Sequence, residues 1–184
     1  MIYGERIRFR SAERNDLPLF VGWLNDPEVR YGIAMYLPMS QAREEAWFED
    51  MLKHPPAEQV LVIEARGAKS QEHWTPIGTC SFMDIDWRSR NAEFGILIGE
   101  KAYWNKGYGT EAVKLLVRHG FQTLNLHRIW LRVFATNPRA VKAYEKAGFT
   151  HEGTKRQAEF IDGEYVDVLL MSILQPEWRD ARAA

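Results

Sequence analysis

After Gly109, apolar residues fall at Val113, Leu116, Val117, Gly120, Phe121 and Leu124, while Lys114, Arg118 and Gln122 fall on the opposite side. That spacing is one face of a helix, and a helix with a single apolar face has to lie on something. Short apolar runs flank it, AEFGILI at 92–98 and HRIWLRVF at 127–134, and both read as strands. A second helix follows with both ends marked. Asn137-Pro138 supplies an N-cap with proline at the first helical position, and Gly148 supplies the residue that ends it. A strand from Phe149, a turn at Asp162-Gly163 and a strand YVDVLLMSIL at 165–174 close the pattern as a hairpin.

The first half is less sharply punctuated. Residues 5–11 alternate charged and apolar, as a strand does. Asn15-Asp16 starts a short helix through Trp23 and Leu24 that ends near Asn25-Asp26-Pro27. An aromatic loop, YGIAMYLPMS, leads to a helix over roughly 40–53, capped by Ser40 and stopped before Pro55-Pro56. VLVIEA at 60–65 is a buried strand, GAKSQEHW at 67–74 a polar connection, and 76–85 and 92–98 are strands joined around Trp87–Asn91. The order β-α-α-β-β-β-α-β-α-β-β, without repeats or linkers, predicts one α+β domain over 1–184, with a core of about 5–175 and a mixed sheet. The tail after Pro176 carries no clear signal.

Lys plus Arg number 24 against 25 Asp plus Glu, which argues against a nucleic-acid-binding protein. A single cysteine, Cys80, forbids an internal disulfide and points to a reducing, cytoplasmic setting. The histidines at 54, 73, 119, 127 and 151 form neither HxxxH nor a pair with cysteine, so no metal site is expected. The N-terminus lacks the apolar core of a signal peptide, and no stretch approaches the roughly 20 apolar residues of a membrane span.

The segment richest in chemistry is Tyr103-Trp104-Asn105-Lys106-Gly107-Tyr108-Gly109-Thr110, between a strand and the amphipathic helix. The first N–H groups of a helix lack internal partners and carry partial positive charge. Glycines at 107 and 109 let an anion come close to the backbone, Lys106 adds a charge and Thr110 a hydroxyl, so a pyrophosphate is a natural guest. The glycines taken alone equally suit a plain tight turn. A dinucleotide fingerprint does not fit, because about eight residues separate Ile98 from Gly107 and the next strand ends without a carboxylate. No Gly-Lys-Ser/Thr exists for a P-loop.

NKGYGT, then NLHRIWLRVFATNPRAVKAYEKAGF, then EFIDGEYVDVLLMSIL together resemble the GNAT superfamily of N-acetyltransferases, within its branch of ribosomal-protein N-terminal and spermidine acetyltransferases. The resemblance covers roughly 5–175 and is specific over 92–150. It differs in one respect: Trp104 stands where the family's phosphate loop usually has Arg or Gln. It implies a mostly antiparallel, six- to seven-stranded sheet flanked by helices, and acetyl-CoA as co-substrate. It implies that the strand Phe94–Ile98, through Phe94, Ile96, Leu97 and Ile98, offers backbone groups to the pantetheine arm as to an added strand. It implies that N–H groups of Asn105, Lys106, Gly107, Tyr108, Gly109 and Thr110 hold the pyrophosphate, that Asn137 bonds a pantetheine amide, and that Tyr144 protonates the leaving thiolate. A tyrosine of pKa about 10 is a workable donor to a thiolate of about 8.5.

Glu93 is the carboxylate on the central strand, where family members often place a base; a structural salt bridge is an equal reading. Glu28, Glu159 and Asp167 are alternatives. The loop Tyr31–Met39 with Trp47 behind it is expected to wall the acceptor pocket, and Glu44, Glu45, Glu49 and Asp50 either line it for a cation or form a solvated helix face. The resemblance implies a small-molecule or peptide amine as acceptor, a protein N-terminus or a polyamine, with aminoglycosides and free amino acids left open, and a homodimer is common in the family. A non-catalytic acyl-CoA sensor is the alternative of another class.

Overall fold

The computed structural model describes residues 1–33, 35–67 and 73–183, the last four of these by backbone alone. Ala34 of the aromatic loop and residues 68–72 of the polar connection lie outside the described residues. The strands are β1 (Ile2–Tyr3), β2 (Ile7–Ser11), β3 (Leu61–Arg66), β4 (Trp74–Asp86), β5 (Asn91–Ile98), β6 (Arg128–Phe134), β7 (Thr150–Ile161) and β8 (Glu164–Leu174). The helices are α1 (Leu17–Asn25), α2 (Pro27–Arg30), α3 (Gln41–Met51), α4 (Tyr108–Gln122), α5 (Pro138–Lys146) and α6 (Gln175–Ala183). The strands form one sheet in the order β1-β2-β3-β4-β5-β6-β8-β7. β5 pairs with β6 in parallel, across the α4 crossover, and β1–β2, β2–β3, β3–β4, β6–β8 and β7–β8 pair antiparallel. This is the mixed α+β sheet expected from the sequence, with the two-residue β1 as an eighth strand too short to show a period.

The chain groups into two compact units, Met1–Ser81 with Ile96–Tyr108, and Phe82–Gly95 with Gly109–Ala184. In the first unit, Ile7 and Phe9 point into the core while Arg8 and Arg10 alternate outward. Both arginines reach the buried Glu64 of β3, at 2.6 and 2.9 Å, and Arg10 also holds Asp16 through two 2.7 Å bonds. Asp16 in turn accepts from the Glu13 N–H at 2.8 Å, fixing the 3-10 turn that enters α1. Leu17, Phe20 and Trp23 of α1 pack with Phe48 and Met51 of α3 and with Val62. Asp26 ends α1 and caps α2, accepting from the Glu28 and Val29 N–H groups ahead of Pro27. Reading Asp26-Pro27 only as a stop therefore missed a one-turn helix, because the same dipeptide serves both purposes.

Burial works to raise the Asp16 carboxyl, but the Arg10 guanidinium and the Glu13 N–H outweigh it and hold it below the usual carboxylate range. A folded-state pKa below the unfolded value of about 3.9 means that its stabilisation is complete above that pH and is lost as pH falls through the folded value. Asp16→Asn is expected to lower the Tm at pH 7, with the gap from wild type closing below about pH 4 in thermal melts.

In the second unit, α4 buries Val113, Leu116, Val117, Gly120 and Phe121 as read from the sequence, adds Ala112 and Leu115 to that face, and ends at Gln122, before Leu124. Gly120 is a point of close approach: a Cβ there would lie 2.8 Å from Ile129 and from Phe82. β6 pairs with β8 along its whole length, from Arg128↔Leu174 to Phe134↔Val168. The tail that carried no sequence signal is α6. Its Trp178 sits 5.5 Å from Phe121, and Gln175 donates to the Phe121 carbonyl at 3.3 Å. Among the described residues no helix is long and apolar enough to cross a membrane.

Candidate active site

The glycine loop is shaped by two residues of positive φ. Asn105 (φ 57°) and Gly107 (φ 84°) both occupy the left-handed region, one on each side of Lys106. Left-handed residues in a short turn before a helix swing successive N–H groups toward a common concavity, the geometry that receives phosphates. α4 begins immediately after, at Tyr108, and the N–H groups of its first turn have no partner within the helix. The Lys106 ammonium is folded back onto the Ala102 carbonyl at 2.7 Å, so it stabilises the approach to the loop. Trp104 has a role of its own: its indole N–H donates to the Ile98 carbonyl at 2.7 Å, tying the loop to the end of β5.

Within β5, the register with β6 runs Asn91↔Arg128, Ala92↔Ile129 and Glu93↔Trp130. Phe94 and Gly95 follow beyond that register, and β5 continues through Ile96 and Leu97 to Ile98. β6 likewise continues past Trp130 to Phe134, and on its other side β5 neighbours β4 in the sheet.

α5 is fixed at both ends. Asn137 Oδ1 accepts from the Ala140 N–H at 3.1 Å, which leaves the side-chain NH2 of this half-buried residue as a donor. At the other end, Gly148 (φ 97°) donates to the Glu145 carbonyl and Phe149 to the Tyr144 carbonyl, each at 3.0 Å. These two bonds form a Schellman motif, and its usual apolar contact is made here by Phe149 against Tyr144, with centroids 6.1 Å apart. Phe94 meets the Tyr144 ring edge-on at 5.8 Å. The Tyr144 hydroxyl has no hydrogen-bond partner among the described residues. Burial pushes it up to about 12, so it stays a neutral O–H donor at physiological pH.

Glu93 is buried, and both its oxygens are engaged by Arg132, at 2.7 and 3.2 Å. Of the two readings left open by the sequence, this geometry favours the salt bridge: taking a proton would mean giving up the guanidinium. Glu28 is paired with Lys101 at 2.9 Å, and Asp167 accepts from the Gln157 N–H at 2.8 Å. Glu159, half-buried on β7, makes no hydrogen bond through its side chain among the described residues.

The aromatic loop is pinned where it enters α3 by the reciprocal pair Asn25–Met39, at 2.8 and 2.9 Å, and it presents Tyr36 and Leu37 to solvent. Three of the four carboxylates on α3 are exposed and paired: Glu45 with Gln41, Glu49 with Arg14, Asp50 with Lys53. Glu44 differs. It lies on the inward face with Phe48 and Met51, is 3% exposed, and its carboxylate has no hydrogen-bond or ionic partner among the described residues. Burial alone raises its carboxyl. No group of His, Cys, Asp and Glu among the described residues is arranged to hold a metal.

Residues 6–150 match the family model of the acetyltransferase (GNAT) domain, and the chain belongs to that family. It is 33% identical over 180 residues to an uncharacterized N-acetyltransferase, p20, of Bacillus licheniformis, covering 96% of this chain and 97% of that protein. It is 32% identical over 173 residues to the spermidine N(1)-acetyltransferase of Vibrio cholerae, covering 94% and 95%. The crystal structure of a spermidine N-acetyltransferase from Vibrio cholerae in complex with CoA and spermine superposes with a TM-score of 0.83 at 30% identity, covering 95% of this chain and 98% of that one. The protein is an N-acetyltransferase with acetyl-CoA as its co-substrate.

Proposed function

We propose that the acceptor is a polyamine or a similar small amine with more than one cationic centre, acetylated by direct attack on the thioester. The observation that carries this reading is Glu44, a buried carboxylate with no cation of its own. A desolvated carboxylate gains most from an ammonium brought to it, because screening by water is weakest there. The spermidine acetyltransferases among the relatives support the same substrate class.

The residue roles follow. N–H groups from Asn105 to Thr110 hold the pyrophosphate of acetyl-CoA, and the backbone of Phe94, Ile96, Leu97 and Ile98 lines its pantetheine arm. The Asn137 NH2 donates to a pantetheine carbonyl. The neutral amine attacks the acetyl carbon, a C–N bond forms and the C–S bond breaks. The sulfur takes the Tyr144 proton, the proton of the attacking amine leaves to water, and water returns a proton to the Tyr144 phenolate, so no net proton is gained or lost by the protein. Burial weakens the phenol as an acid, and a thiolate leaving into the same apolar surroundings would be more basic, which offsets part of that loss. Glu93 acts through Arg132 to hold the strands behind Phe94. The reaction belongs in the cytoplasm, whose reducing conditions suit the single buried Cys80, and by analogy with the family the protein works as a homodimer.

A thiol-release assay over spermidine, spermine, N-terminal peptides and aminoglycosides tests the acceptor. The polyamines are expected to give the highest kcat/KM, and a preference for N-terminal peptides would overturn the reading. Glu44→Gln is expected to raise the polyamine KM about tenfold, the share of one charge-assisted contact, with the acetyl-CoA KM unchanged. Only the ionised carboxylate attracts the ammonium, so the wild-type polyamine KM should fall as pH rises through the raised Glu44 value and then level off.

A further inference from the structure

We infer that Arg6, at the entry to β2, is a positioning residue for the pyrophosphate loop and sets the affinity for the nucleotide half of acetyl-CoA. The inference rests on the acetyl-CoA reading of the loop. Arg6 Nη1 donates to the Lys106 carbonyl at 3.2 Å, and its guanidinium lies over the Tyr108 ring at 4.5 Å. A Cβ built on Gly107 would come 3.3 Å from the same guanidinium, so the side chain spans the turn from Lys106 to Tyr108.

The consequence lies in the peptide plane. A trans peptide points its C=O and N–H in opposite directions. The tie on the Lys106 carbonyl therefore aims the Gly107 N–H away from Arg6, and that N–H is one of the proposed pyrophosphate donors. The plane needs such a tie, since Asn105 is a non-glycine residue held at φ 57° and Gly107 is free to leave φ 84°. Arg6 is itself anchored, because its carbonyl accepts from the Arg66 N–H at 2.8 Å, at the end of β3. Stacking on Tyr108 holds the guanidinium plane, which a lysine ammonium could not reproduce.

The test compares wild type, Arg6→Ala and Arg6→Lys by titration calorimetry with CoA and by kinetics with two donors, acetyl-CoA and S-acetylpantetheine, which lacks the pyrophosphate. Arg6→Ala is expected to weaken CoA binding and raise the acetyl-CoA KM about tenfold, as loss of a charge-assisted hydrogen bond would. At saturation kcat should hold, the acetylpantetheine KM should not move, and Arg6→Lys should fall between. An unchanged acetyl-CoA KM in Arg6→Ala overturns the inference. So does an equal loss with acetylpantetheine, which would make Arg6 a general structural residue. Absence of CoA binding by the wild type would instead overturn the reading of the loop itself.

Discussion

Tyr144→Phe is expected to lower kcat by about 10²- to 10⁴-fold, the range for loss of a positioned acid, while leaving the KM for acetyl-CoA close to wild type. The reason for expecting so clean a separation is structural. The ring is held by Phe94 and Phe149, and these contacts survive the substitution. The hydroxyl has no hydrogen-bond partner among the described residues, so its removal leaves no protein group unsatisfied. Stability should therefore be unchanged or slightly higher. With the phenol pushed up to about 12, wild-type kcat should show no descending limb from Tyr144 below pH 10, and a rising limb should report deprotonation of the amine. Steady-state kinetics over that pH range, with thermal melts of both proteins, check these points. Turnover by Tyr144→Phe at the wild-type rate would remove Tyr144 from the chemistry.

Gly78→Ala should cost about 3 kcal/mol or more, lowering the Tm by roughly 6–12 °C for a chain of this size. A Cβ at that position would stand 2.0 Å from the Leu97 carbonyl oxygen and 3.0 Å from the Ile98 Cα. Both are backbone atoms, so no rotamer change relieves the overlap, and β4 or β5 has to move. Gly78 also faces Ile63 across the β3–β4 ladder, next to the register shift at Ile63/Glu64, which limits the retreat of β4. The displaced segment includes Leu97 and Ile98, proposed to line the pantetheine arm. The acetyl-CoA KM should therefore rise together with the loss in Tm, in contrast to Tyr144→Phe, which separates the two.

Much of this protein was legible in its residues because the local rules agreed with one another. Asn137-Pro138 and Gly148 marked both ends of α5, and the Schellman bonds form where they indicated. The face of α4 was given by period alone. What could not be read falls into two kinds. Short elements gave no period: β1 has two residues and α2 one turn. Long-range partners left no local trace: Arg6 meets Lys106 across a hundred positions, and Glu93 meets Arg132 on another strand. The same limit explains the four carboxylates of α3, which look alike in sequence and differ only in which one the helix turns inward. Trp104, noted only as a departure from the family's loop, proves to be a donor to the Ile98 carbonyl.

The motif that ends α5 also joins two events in time. The Phe149 amide proton is shielded because it is bonded to the carbonyl of Tyr144. It can exchange with solvent deuterium only when that last turn opens, and such an opening frees Phe149, one of the two rings packed on Tyr144. The protection of this one amide therefore records the fraction of time for which that brace on the residue proposed as the acid is in place.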